Sequence, residues 1–437
     1  MNVREQWKPL VLIVGTFLLL FYLPLGNESF DRSISEALGL AKWYAREHVL
    51  LCLVPAFFIA GAISVFVSQG AVMKYLGAQA GKVVSYGVAS VSGAVLAVCS
   101  CTILPLFAGI YKRGAGIGPA ATFLYAGPAI NVLAVILTAR ILGVELGAAR
   151  AVGAIVFGVV VGLVMSLVFR NDEREKAIAE AAPSEPEEGR RLRQNVLYFA
   201  AMVAILVFAT WGRPASQVGA WHAIYSVKWI LVGGSSLGLA AMLVAWFHVK
   251  WWHVVIAALP AAVLTVFFPS HPSVPFAAGI LGLAAVAQIT GGEPREWLDS
   301  TWGYAKQILP LLFAGVLAAG FLMGSPEGHG LVPSDWVRTV VGGNSLRANA
   351  FASVAGALMY FATLTEVPIL QGLIASGMGK GPALALLLAG PALSLPNMLV
   401  IRSVMGTRKT LVYIALVVVM ATASGLLFGA ISNRVVT

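Results

Sequence analysis

The sequence has little charge for its length. Of its 437 residues, 11% are charged and 59% are hydrophobic. A soluble chain of this size would divide into domains with charged surfaces. Here apolar runs of about 20 residues, enough to cross a hydrocarbon core, recur along the whole chain instead. The composition predicts an all-α, polytopic membrane protein.

Cysteine is also scarce, with only Cys52, Cys99 and Cys101, all inside apolar segments. Their number and placement exclude a disulfide framework. The six histidines show no metal-ligand spacing, and the sequence has no Walker loop, dinucleotide fingerprint or Ser-His-Asp arrangement. We therefore expect no metal and no cofactor, and we expect that the chain is not an enzyme.

The net charge of +10 does not indicate nucleic-acid binding, because no basic patch is interleaved with aromatic residues. The basic residues are assigned to short loops, as is typical of charges that set membrane topology. They are Lys112, Arg113, Arg140, Arg150, Arg402, Arg408 and Lys409. The partners expected are a small-molecule substrate and the lipid bilayer, with a homodimer left open.

One 40-residue stretch occurs twice. Residues 90–129 align with residues 353–392 without a gap, at an offset of 263, and 17 of the 40 positions are identical. Most identities are glycine or proline. Two apolar segments interrupted by Gly and Pro, at corresponding places in two halves, predict the binding site of a transporter. We expect two internal repeats, inverted in the membrane, with broken helices at the repeat core.

The remaining sequence divides around these repeats. Residues 170–194 hold 13 charged residues in 25 positions and are interpreted as a charged cytoplasmic linker. The predicted parts are a first span with an amphipathic connection (1–48), the first repeat (49–169), this linker (170–194), connecting spans (195–304) and the second repeat (305–437). The apolar run 83–110 would be about 42 Å long as one helix, so a break is expected near Pro105.

The repeated Gly-Pro pairs are the first candidate site residues. Gly127-Pro128 and Gly390-Pro391 should interrupt a helix in mid-membrane and leave backbone groups that a polar substrate can satisfy. The alternative is that small residues here only let helices pack closely. Asn131 and Asn397 follow the two breaks, and they either line a cavity or hydrogen-bond between helices.

The two copies differ just before their aligned prolines. The first copy has two thiols, and the second has a carboxyl group, Glu366, while Thr102 and Thr365 are shared. A charge near the bilayer centre costs about 2.5–3.5 kcal/mol, so Glu366 should face a cavity or be neutral. We predict a proton-coupling role for Glu366. The alternative is a structural carboxylic acid hydrogen-bonded to a neighbouring helix.

The thiols Cys99 and Cys101 are the sharpest chemical feature. Thiolates are soft ligands that select thiophilic species. On a regular helix the two side chains would point roughly 200° apart, so only a broken backbone would let them converge. Cys52, on another predicted span, is a candidate third thiol. The alternative is that the cysteines are small packing residues.

The segments CSCTILPLFAGIYKRGAGIGPAATFLYAGPAIN and TEVPILQGLIASGMGKGPALALLLAGPALSLPN resemble the two signature regions of the bacterial "predicted permease" family, which includes ArsP-type organoarsenical efflux permeases. The resemblance covers roughly residues 49–170 and 305–430. It implies a multi-pass permease of the cell inner (cytoplasmic) membrane that exports trivalent organoarsenicals such as methylarsenite, with Cys99 and Cys101 as the thiols involved. The family also contains members whose substrate is unknown.

Two transport hypotheses follow. The first is proton-driven export of a small thiophilic metalloid compound, with Glu366 in the proton role and the Cys99–Cys101 pair in contact with the substrate. The second is a permease for another small solute, sulfur-containing or metal-complexed, bound by Asn131, Asn397 and the Gly-Pro breaks. A membrane redox enzyme is disfavoured because no second cysteine pair exists, and a non-transporting subunit because the two-copy design is self-contained.

Overall fold

The structure, a computed structural model, is helical throughout its described parts. It describes residues 10, 14, 17, 18, 21, 22, 24, 26–66, 75–77, 80–96, 100–130, 132–173, 192–212, 220–323, 340–359, 366–375 and 377–436. Within those ranges the β-structure consists of one isolated bridge between Gly342 and Met378. The expected all-α class is confirmed.

The helices before the charged segment form the first group. They are α1 (Glu28–Tyr44), a π-helix (Ala45–Leu53), α2 (Val54–Phe66), α3 (Lys82–Leu96), α4 (Ser100–Lys112), α5 (Ile117–Ala129), α6 (Val132–Ile141) and α7 (Val144–Val168).

The connecting helices and the second group follow. They are α8 (Leu192–Ala209), α9 (Ala220–Trp246), α10 (Trp251–Phe267), α11 (Ser273–Thr290), α12 (Gly292–Met323), α13 (Leu346–Leu358), α14 (Glu366–Ala375), α15 (Lys380–Leu393), α16 (Leu395–Met405) and α17 (Thr407–Val436).

Membrane-spanning length is common among these helices. Within the described ranges, six helical stretches are long and apolar enough to cross a membrane, one of them the continuous run Glu28–Phe66 through α1, the π-helix and α2. The number is eight if each of two bent pairs forms one span. The pairs are α5 with α6, bent by 44°, and α15 with α16, bent by 47°. Both bends follow a Gly-Pro pair, because proline lacks the amide proton that would continue the helix. The polytopic membrane class and the broken helices are thus present.

The helix boundaries of the two groups correspond. Helices α5, α6 and α7 begin at the offset of 263 from α15, α16 and α17. The turns before them correspond as well. Gly114 and Gly377 have φ of 94° and 102°, and Gly143 and Gly406 have φ of 103° and 83°. These left-handed conformations favour glycine at each of the four turns.

Ion pairs mark the two ends of the bundle. Lys380 Nζ lies 3.4 Å from Glu145 Oε2, at the start of α7. Lys409 Nζ, at the start of α17, lies 3.5 Å from Asp172 Oδ2, just beyond the end of α7. Helices α7 and α17 therefore run in opposite directions, as an inverted repeat requires. The inverted relation of the whole repeats remains a prediction.

The remaining sequence expectations concern the run 83–110, the linker, the first span and the domain boundaries. The apolar run 83–110 is two helices, since α3 ends at Leu96 and α4 begins at Ser100, and Pro105 lies inside α4. Most of the charged linker and of the first span lies outside the described residues. The proposed domain boundaries remain predictions. Within the region predicted as connecting spans, α10 and α11 are two helices packed against each other.

Candidate functional site

A fully buried arginine is the centre of the site. Arg150 was assigned to a loop as a topology-setting charge, and this assignment is wrong. It lies in the second turn of α7, and its side chain is 0% exposed. A guanidinium keeps its proton in proteins, so this buried position demands a negative partner.

The partner is Glu366. Arg150 Nη2 lies 2.5 Å from Glu366 Oε1, and the carboxylate side chain is only 1% exposed. Glu366 opens α14, where a negative charge is also favoured by the helix dipole. The pair joins α7 of the first group to α14 of the second, so it connects the two halves of the chain.

Arg150 also holds the first helix break. Its Nε donates to the carbonyl oxygen of Ala129 at 3.1 Å, and its Nη1 donates to Thr138 Oγ1 at 3.1 Å. The end of α5 leaves carbonyl groups without a partner inside the helix. The sequence analysis expected a polar substrate to hydrogen-bond the free backbone groups at this break. For the carbonyl oxygen of Ala129, the Arg150 side chain is the partner instead.

The pair lies deep in the bundle. Helix α14 has ten residues and is therefore about 15 Å long. It leads from Glu366 toward the end of the bundle marked by Lys380. Half of a hydrocarbon core is also about 15 Å, which equals the length of α14.

Glu366 has an open hydrogen-bonding position. Among the described residues, its Oε2 atom has no hydrogen-bond partner although it is buried. A buried polar atom without a partner is costly. Such an atom is suited to accept a proton or a hydrogen bond during function.

The second helix break carries buried polar groups of a different kind. Ser394 caps α16 and is 2% exposed, and Asn397 in the first turn is 1% exposed. Within the described part of the chain, Ser394 Oγ and Asn397 Oδ1 have no hydrogen-bond partner. A Cβ atom at Gly315 of α12 would collide with Pro396, so α12 packs directly on this break.

Two buried tyrosines also have hydroxyl groups without partners among the described residues. Tyr125 on α5 and Tyr413 on α17 are both fully buried, and their hydroxyl groups have no partner among the described residues. Tyr413 occupies the position that corresponds to Arg150 at the offset of 263. The two groups of helices therefore place different chemistry at equivalent positions.

The predicted site residues are distributed as follows. Gly127, Pro128, Gly390 and Pro391 are all buried next to the two bends. Thr102 is buried in α4. Cys99, Asn131 and Thr365 lie outside the described residues, and only the backbone of Cys101 is described, in α4. Their roles remain predictions.

Cys52 lies on an element that contacts α4, the helix that begins at Ser100. It is 5% exposed in the π-helix Ala45–Leu53, and this π-helix contacts α4. Short π-helical stretches inside α-helices are frequent at functional sites.

Sequence reasoning missed Arg150 and Thr138. One signal was available, since Arg150 is followed by the long apolar segment of α7 and Glu366 needed a counter-charge. The missing information was the contact between α6 and α14, which brings residues from the two halves together.

The described helices form a membrane bundle with two bent spans. One bend carries buried polar groups without partners among the described residues, and the other carries a buried ion pair. These features define a membrane transporter. Comparison of the sequence with known protein families agrees with this class. The chain belongs to the ArsP_1 family, described as "Predicted permease", which matches residues 34–430.

Two relatives extend this assignment. The UPF0718 protein MJ0584 of Methanocaldococcus jannaschii is 39% identical over 389 residues, which are 89% of this chain and 93% of that protein. The UPF0718 protein YraQ of Escherichia coli K12 is 32% identical over 119 residues, 27% of this chain and 32% of that protein. No solved structure matches the chain.

Proposed function

We propose that this permease is a proton-driven secondary transporter of the cell inner membrane, which exports a small thiophilic metalloid compound. The substrate proposed is a trivalent organoarsenical such as methylarsenite. The observation that carries the proposal is the buried Arg150–Glu366 pair, because it joins the two halves at a helix break and contains a group that can take up a proton.

The proton step uses this pair directly. A proton that enters the site binds Glu366, on the oxygen that has no partner. The carboxyl group then becomes neutral, and its attraction to the Arg150 guanidinium falls. The two halves lose one of the interactions that hold them together, which allows the break at Ala129 to change conformation. Loss of the proton on the other side restores the ion pair.

The substrate assignment is supported by the thiols. Cys101 lies on α4 and Cys52 on the π-helix that contacts α4, while Cys99 is two residues from Cys101. Thiolates are soft ligands, and trivalent arsenic is a soft, thiophilic centre. Two thiols and methylarsenite, CH3As(OH)2, form two arsenic–sulfur bonds and break two arsenic–oxygen bonds. The thiol protons leave in two water molecules, so this step releases no net proton and the coupling to a proton gradient rests on Glu366.

A second candidate function is favoured by the other break. Ser394 Oγ and Asn397 Oδ1 are buried acceptors without partners among the described residues. The N-terminus of a half-helix such as α16 commonly points at the polar group of a transported solute. A permease for another small polar solute would use these groups and leave the cysteines as packing residues.

Survival assays separate the two functions. Cells that lack their own arsenic pumps would express the chain and grow in methylarsenite, arsenite or arsenate. Resistance to methylarsenite that is lost in the Cys99→Ser/Cys101→Ser double variant supports the proposal. Absence of resistance from protein that is properly inserted in the membrane contradicts the arsenical substrate and favours the second candidate.

Two matched variants complete the assay. Ser394→Ala should leave methylarsenite resistance intact if the thiols bind the substrate. Cys52→Ser tests the third thiol separately. Each variant needs a measured amount of membrane-inserted protein, so that loss of resistance is not confused with loss of the protein.

A further inference from the structure

A long apolar cavity lies between the connecting helices, away from both helix breaks. Helices α9, α10 and α11 form most of its wall, and its volume is about 440 Å³. This lies within the roughly 300–1,000 Å³ of ordinary ligand sites. Ser236 and Thr265 are the hydroxyl-bearing residues of the lining, and no charged side chain belongs to it.

The cavity has the dimensions of a lipid chain. It follows α9 from Trp229 to Leu243, which corresponds to about 21 Å at the rise of an α-helix. One leaflet of a membrane contributes about half of the 30 Å hydrocarbon core, so a chain from one leaflet fits along it.

Small residues create this space. Gly233, Ala240, Ala258 and Gly279 all line the cavity. Small residues in membrane helices usually let neighbouring helices approach closely. At Gly233, however, an added Cβ atom would meet no atom within 4 Å. The helices therefore stay apart at this face of α9, although its residues would permit contact.

The outer wall of the cavity is a peripheral helix. No residue of α10, which the structure describes completely, is buried. Helix α10 packs mainly against α11 and has few contacts with α9. A lipid chain can therefore reach the cavity from the bilayer beside this hairpin.

A cation and aromatic rings lie at one end. Lys228 Nζ donates to the carbonyl oxygen of Trp211 at 3.0 Å and lies 4.7 Å from the ring centre of Tyr225. The adjacent Trp229 lines the cavity, and its ring lies 6.4 Å from that of Phe276. Lysine beside Trp and Tyr is typical of the membrane–water interface.

The charge of Lys228 is available to a ligand. Across the described ranges, no carboxylate lies within 4 Å of its Nζ atom. Anionic headgroups attract lysine at the membrane surface. Lys228 contacts Trp211, just beyond the end of α8, whereas Asn195 at the start of α8 donates to the carbonyl oxygen of Phe66. Lys228 therefore lies toward the end of the bundle opposite Asn195, and a lysine side chain can extend from a helix to the membrane surface.

We propose that this cavity binds one acyl chain of an anionic phospholipid, with its phosphate against Lys228. The apolar lining selects the chain, and the lysine–aromatic end selects the charge of the headgroup. The bound lipid fills the space between α9 and the α10–α11 hairpin and connects this hairpin to the rest of the bundle.

The test uses photo-crosslinking and does not depend on transport. The full-length chain is reconstituted in phosphatidylcholine vesicles that contain a little phosphatidylglycerol with a diazirine in its acyl chain. After irradiation, mass spectrometry identifies the labelled peptides. The wild-type chain should be labelled on the cavity-facing residues of α9 and α11.

Two glycines offer a matched pair of variants. Gly233→Phe fills the cavity and should lower this labelling by about tenfold, equivalent to about 1.4 kcal/mol. Gly234→Phe is the control, because Gly234 has equal room but does not line the cavity. Ala240→Phe, further along the same wall, replaces Gly233→Phe if that variant does not fold.

The headgroup is tested separately. Lys228→Gln should reduce the preference for phosphatidylglycerol over phosphatidylcholine by about fivefold, the effect of one lysine near an anionic surface. Equal labelling of Gly233→Phe and Gly234→Phe would overturn the proposal. So would a lipid preference that is unchanged in Lys228→Gln.

Discussion

At the scale of single residues, the buried ion pair joins a permanent positive charge to a negative charge that a proton can neutralise. Arg150 and Glu366 are both buried, and the arginine has three partners whereas the carboxylate has one. Removing one member of a buried ion pair leaves an uncompensated charge, which costs more than the net contribution of the intact pair. The two single variants should differ, because only the carboxylate can become neutral by taking up a proton.

Glu366→Gln should therefore destabilise the protein by about 3–5 kcal/mol, since it leaves the Arg150 charge buried and unpaired. Arg150→Gln should cost less, because Glu366 can then be protonated. The double variant should be more stable than Glu366→Gln alone. Thermal unfolding of the purified protein in detergent measures all three.

The control is Glu145→Gln, which removes the exposed partner of Lys380. A surface ion pair contributes little, so its unfolding temperature should remain near that of the wild type. Equal losses in Glu145→Gln and Glu366→Gln would show that burial of the Arg150–Glu366 pair has no energetic consequence.

At the scale of helices, two glycine contacts fix how each broken helix packs. A Cβ atom at Gly162 of α7 would lie 2.5 Å from the carbonyl oxygen of Gly118 in α5. At the offset of 263, a Cβ atom at Gly425 of α17 would lie 2.6 Å from the carbonyl oxygen of Gly381 in α15. Small residues at such crossings let membrane helices approach closely.

Gly162→Ala and Gly425→Ala should each destabilise the protein by about 1–3 kcal/mol, because the added methyl group forces the two helices apart. Unfolding in detergent again provides the measurement. Gly234→Ala is the matched control, since its Cβ meets open space and alanine favours a helix. A loss in the control as large as in the other two would contradict the close-packing explanation.

The sequence indicates these elements better than it indicates their contacts. The bends after Pro128 and Pro391 were predictable, because proline removes a backbone donor wherever it occurs in a helix. The apolar run 83–110 is divided into two helices, but Pro105 lies inside α4 and the division comes before it, since α3 ends at Leu96 and α4 begins at Ser100. The Arg150–Glu366 contact was not predictable, because it joins α7 to α14, which lie far apart in the sequence.

At the scale of the whole molecule, the charges define two ends. Lys112, Asp172 and Lys409 lie near one end, where Lys112 Nζ bonds to Gln307 Oε1 at 3.0 Å. Glu145 and Lys380 lie at the other end. The basic cluster and the charged segment 170–194 favour a cytoplasmic position for the first end.

Cysteine accessibility tests this orientation. In intact cells, a membrane-impermeant maleimide should label Glu145→Cys but label Asp172→Cys only after permeabilisation. Both positions are exposed at their ends of the bundle. The unmodified chain measures the background from its own cysteines. Labelling of both variants in intact cells would contradict the assignment of opposite ends.

Transport by everted membrane vesicles tests the proposed proton-coupled export of a thiophilic arsenical. With an imposed pH gradient, acid inside, vesicles that contain the wild-type chain should accumulate methylarsenite. A protonophore and the Cys99→Ser/Cys101→Ser variant should each abolish this accumulation. Accumulation that continues after the gradient has collapsed would contradict proton coupling. Accumulation no greater than that of empty vesicles would contradict export of methylarsenite.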